Sequence, residues 1–115
     1  MKITASKLLN HIPGPVTQGW PMGERFASGF KHGSMSVELY APQGQDPQKP
    51  HEQDELYFII KGFSRLLIGE KEFECAPGDA FFVKAGEEHH FLEFSDDFKT
   101  WVVFWGPKGG EANLS

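Results

Sequence analysis

Between Leu56 and Trp105, turn chemistry interrupts the chain every few residues, so no uninterrupted apolar run is long enough for a helix that would be stable in water. The runs fall at 56–61, 64–68, 71–75, 80–83, 90–94 and 99–105. They are separated by Gly62, Gly69-Glu70, Pro77-Gly78-Asp79, Ala85-Gly86 and Ser95-Asp96-Asp97. Pieces this short, at such regular spacing, predict strands of a barrel or jelly roll. Composition agrees: thirteen Gly and eight Pro supply turns, while eleven Phe and three Trp supply large side chains for a core.

Upstream the signals are weaker. A short helix or single turn is expected at 6–11, with Ser6 as its cap and Pro13 and Pro15 ending it. An extended arm follows at 16–22, then a strand at 24–30. At 34–40 the pattern alternates, with Met35, Val37 and Leu39 on one face and Ser36, Glu38 and Tyr40 on the other, as a half-buried strand does. Pro and Gly make 41–50 a loop. The reading is one all-β domain over 1–115, with an arm at 1–23, a barrel core at 24–106 and a loose Gly-rich tail at 107–115.

The bulk properties exclude several partners. A formal charge of −5 with mixed signs offers no basic face for nucleic acid or for an anionic membrane. No segment nears the roughly 20 apolar residues that span a bilayer, and the N-terminal residues do not resemble a signal peptide. Cys75 is the single cysteine, ruling out an intrachain disulfide and a Cys-rich zinc site. The expectation is a cytoplasmic protein that binds a small molecule.

Two runs are apolar on both faces. In 56–61, Tyr57 and Ile59 are expected inward and Leu56, Phe58 and Ile60 outward, while 101–105 reads WVVFW. Such outer faces need a cover, either the N-terminal arm or a second subunit, and a homodimer is the favoured expectation.

The chemistry-bearing residues are His51, Glu55 and His89, two imidazoles and a carboxylate suited to a divalent transition metal ion: iron, manganese, zinc or nickel. Residues four apart on a straight strand are separated by about 13 Å, whereas donors sharing an ion lie about 2.0–2.2 Å from it. His51 and Glu55 therefore require a bend at 52–54, and His89 must arrive from a later strand as the barrel closes. Gln53 could add an amide oxygen as a further ligand. Tyr57 and Phe91 share parity with Glu55 and His89 and, with Lys49, are candidates to line the cavity. The plainer alternative is that the two histidines are satisfied polar residues at a barrel mouth.

These residues carry a resemblance. HEQDELYFIIKG at 51–62 and GDAFFVKAGEEHHF at 78–91 resemble the two motifs of the cupin superfamily, His-x-His…Glu…Gly and Gly…Pro-x-Gly…His…Asn. His51 stands at the second histidine of the first motif, followed by Glu55 and Gly62; Gly78, Gly86 and His89 match the second. Lys49 replaces the first histidine, Lys84 the proline and Glu93 the asparagine, and Gly44 sits one residue too close to His51. The resemblance implies a cupin double-stranded β-helix (jelly-roll) barrel with a three-ligand metal site. It implies a metal-dependent oxygenase or isomerase of unstated substrate, or else a non-catalytic module that binds or senses a small ligand.

Overall fold

The computed structural model describes residues 1–112, which form one short helix and two antiparallel sheets. The helix α1 (Ala5–Leu9) is followed by β1 (Phe26–His32), β2 (Met35–Tyr40), β3 (Asp54–Lys61), β4 (Ser64–Ile68), β5 (Lys71–Cys75), β6 (Ala80–Val83), β7 (His89–Phe94) and β8 (Lys99–Trp105). Five strands lie in the order β1-β2-β8-β3-β6 and three in the order β5-β4-β7, the two facing layers of a jelly-roll barrel. None of the helices among the described residues is long and apolar enough to cross a membrane.

The inward faces close the core. Tyr57, Ile59, Val102 and Phe104 from the large sheet meet Leu66 and Phe91 from the small one, with Phe98 between the ends. All are nearly inaccessible to water, so the sheets cannot separate without exposing several aromatic rings. The alternation expected in β3 holds: Tyr57 and Ile59 are buried, whereas Phe58 is exposed and Leu56 and Ile60 are half-buried. Cys75 is buried in this core, and burial pushes its thiol up to about 11, which suits a packing role.

Two glycines, one in a turn and one in a strand, sit where no other residue fits. Gly62, between β3 and β4, has a φ of +78°, and a Cβ there would approach Phe98 Cα to 2.7 Å. Gly29 lies at a bulge in β1, where a Cβ would sit 2.6 Å from Ile3 Cδ1. Its bareness lets the N-terminal segment lie against β1 and β2, and Leu39 beneath is completely buried.

Several local expectations change. Thr4, not Ser6, caps α1, because its hydroxyl accepts from Lys7 N at 3.2 Å and the helix starts one residue earlier than expected. The segment expected to be an extended arm contains a tight turn, in which Thr17 and Trp20 exchange backbone hydrogen bonds of 3.1 Å. The tail is not loose as far as Glu111. Gly109 N donates to Glu52 O, Glu111 N donates to Asp54 Oδ2, and Lys108 pairs with Glu52. Residues 113–115 lie outside the described residues.

Candidate metal centre

The strands deliver the three donors from different directions. Glu55 is the second residue of β3, paired with Phe104 on β8, so its side chain follows the inward parity of Tyr57. His89 opens β7 on the opposite sheet, opposite Ile68. His51 stands in the loop before β3, held where Gly86 N donates to its carbonyl at 2.8 Å. The bend required by the donor spacing occupies Glu52 and Gln53, ending where Asp54 begins the strand. The Asp54 carboxylate accepts from Ala85 N at 3.0 Å and Glu111 N at 2.9 Å; these bonds hold its pKa below the usual value and tie the His51 bend to the turn before His89.

The donor atoms of His51, Glu55 and His89 all lie within 4.8 Å of one another. His89 Nε2 is 3.1 Å from Glu55 Oε1, but the two are not aligned as a hydrogen bond. His51 Nε2, His89 Nε2 and both Glu55 oxygens are buried with no hydrogen-bond partner. Four such atoms within one three-residue cluster would be costly in a site built only for packing, since buried polar groups are normally satisfied. Two neutral imidazoles and a carboxylate fit a divalent transition metal. A supporting contact is present too: His89 Nδ1 lies 2.9 Å from Glu87 O, so the protonated Nδ1 donates there and Nε2 faces the cluster.

Electrostatics separates the two imidazoles. Burial lowers the His51 pKa, and Glu55 only partly opposes it. For His89, burial acts in the same direction, but the adjacent Glu55 carboxylate and the Glu87 carbonyl outweigh it, leaving the pKa raised.

Two cavities open beside the donors and share His51 and Phe104. One, of about 470 Å³, is lined also by Gln53 and Lys108; the other, of about 380 Å³, by Trp20, Phe26, Glu38, Tyr40 and Lys49. Lys49, where the resemblance leads one to expect a histidine, is exposed at the cavity rim. Gln53 is engaged elsewhere, its Nε2 donating to Ser34 O at 2.9 Å and Gly106 O at 3.0 Å, and we leave it outside the ligand set. Tyr57 and Phe91 are buried in the closed core with ring centroids 4.8 Å apart, and neither is among the residues lining the two cavities.

Sequence reasoning missed Glu38 and Asp46. Glu38 pairs with Val102, and Val102 with Tyr57, so the polar parity of β2 faces the barrel interior. Burial raises the Glu38 pKa, and Glu55 raises it further. Asp46 lies in the loop before His51 and binds the free edge of β7: its Oδ2 accepts from Phe91 N at 2.7 Å, and its Oδ1 from the Tyr40 hydroxyl. The alternation of β2 was a usable signal for Glu38. No local pattern marks Asp46.

Residues 36–104 match the family model described as the cupin domain. An uncharacterized protein of Streptomyces coelicolor is 40% identical over 77 residues, which cover 65% of this chain and 73% of that protein. Among solved structures, KdgF from Halomonas sp. aligns with a TM-score of 0.63 at 14% identity, covering 72% of this chain and 78% of that one. DMSP lyase DddQ from Ruegeria pomeroyi aligns with a TM-score of 0.57 at 24% identity, covering 74% and 49% respectively. At these identities, the structural likeness concerns the fold alone.

Proposed function

We propose, from the premise that this chain belongs to the cupin family, that it is a metal-dependent protein acting on a small organic molecule, with His51, Glu55 and His89 as ligands. The carrying observation is the set of four buried donor atoms without hydrogen bonds. Such an ion supplies Lewis-acid polarisation of a ligand oxygen, the chemistry of an isomerase, a lyase or an oxygenase. The chain's own residues contribute the rest. Glu87 O orients His89, Phe104 packs against His51 with centroids 4.5 Å apart, and the phenylalanine-rich core below excludes water.

Metal removal tests this reading. A metal that binds only the folded state raises Tm, so chelation of the purified protein should lower Tm by several degrees and re-addition of one of the four candidate ions should restore it. No Tm response to chelator, or to any of the four ions, would contradict the proposal.

The same reading includes a homodimer. The N-terminal helix packs against β1 and β2, while the outward residues of β8, β3 and β6 form one apolar face: Trp101, Val103 and Trp105 beside Leu56 and Phe58, with Phe82 at the edge. Phe58 and Phe82 are 43% and 54% exposed, more than a solvated face invites. Light scattering should give a dimer for the parent and a monomer for Phe82→Asp; a monomeric parent would remove the dimer. The lone buried cysteine supports a cytoplasmic setting.

A further inference from the structure

We propose that the cavity of about 380 Å³ beside the donors binds a compact organic cation, of the ammonium or sulfonium type, between an aromatic corner and the Glu38 carboxylate. The inference rests on the reading that the protein acts on a small organic molecule, but not on metal occupancy.

Three observations carry it. Trp20, from the turn preceding β1, stands perpendicular to two other rings: its centroid is 5.8 Å from Phe26 at 66° and 6.1 Å from Tyr40 at 77°. These three rings line one cavity and cluster as its aromatic corner, a setting that attracts a weakly hydrated cation through ring quadrupoles. Glu38 reaches the same cavity from the sheet interior, and no ion pair among the described residues neutralises it. Lys31 acts on this half-buried carboxylate only at a distance, without an ion pair, and a bound cation would meet it directly. The Tyr40 hydroxyl donates to Asp46, so the ring rather than a free phenol group is offered to the ligand.

Lys49 lines the same cavity but is exposed, where solvent and salt screen its charge. Its position at the rim leaves it free to meet an anionic end of the same ligand.

The test compares choline with 3,3-dimethylbutan-1-ol, its neutral isostere, by calorimetric titration and tryptophan fluorescence on chelator-treated protein. Choline is expected to bind about tenfold more tightly than the alcohol or better. That preference should fall to about twofold or less in Glu38→Gln, and choline binding should weaken about tenfold in Trp20→Leu. Equal affinity for the two probes, no binding of choline or tetramethylammonium, or an unchanged preference in Glu38→Gln would overturn the inference. If Glu38→Gln fails to fold, the comparison of probes on the parent still decides. Because the protein is stripped of metal, failure here leaves the metal proposal standing, and failure of the metal proposal leaves this one standing.

Discussion

Glu55→Gln is expected to abolish metal retention while leaving the metal-free protein as stable as the parent or more so. Glu55 is 1% exposed, and its carboxylate oxygens have no hydrogen bond. Burying that charge is unfavourable in the absence of metal, and the contact with His89 at 3.1 Å offsets only part of the cost. A neutral amide of the same shape is cheaper to bury with its oxygens unsatisfied, so stability measured by denaturant in chelator should stay level or rise by up to about 1 kcal/mol. Affinity for the ion should fall by more than the roughly 10- to 100-fold typical of losing an outer partner, because a ligand itself is lost. A fall in chelator-state stability of several kcal/mol would instead make Glu55 and His89 a structural ion pair.

Asp46→Ala should be among the most destabilising substitutions outside the core. It removes the acceptor for Phe91 N, for the Tyr40 hydroxyl and for the Gln48 amide, which donates at 2.9 Å. Phe91 N lies on the free edge of β7, so the substitution strands a backbone donor beside the core and a buried phenol within it. At about 1–3 kcal/mol for each donor left unsatisfied, the loss should be about 3 kcal/mol. For a domain of this size, that lowers Tm by roughly 10–15 °C in calorimetry. His51 follows in the same loop, so metal affinity should weaken too. A change in Tm within about 2 °C would mean that Asp46 does not hold the loop.

These residues also show how far the sequence can be read. The limits of β4, β5, β6 and β8 coincide with those expected, because Gly and Pro enforce them locally: Gly62, Gly69, Gly78 and Gly86 all adopt positive φ. The three candidate donors stand out by residue type and spacing, and the fold brings them together with buried, unsatisfied atoms. Glu38 was visible as one member of an alternating pair of faces, but alternation does not say which face is inside. That depends on the register of β2 with β8, a contact some 60 residues away in sequence. The bonds of Asp46 to β7 and of the tail to Asp54 are likewise long-range, and the turn-forming residues 107–110 gave no hint that Gly109 and Glu111 are tied to the site's bend.

The central claim is that His51, Glu55 and His89 form a metal site, and whole-protein metal analysis tests it most directly. Parent protein and the His51→Ala/His89→Ala double variant would be expressed in medium supplemented with iron, manganese, zinc and nickel, then purified without chelator. The parent should retain about one divalent transition ion per chain and the folded double variant almost none. Equal and negligible metal in both would contradict it.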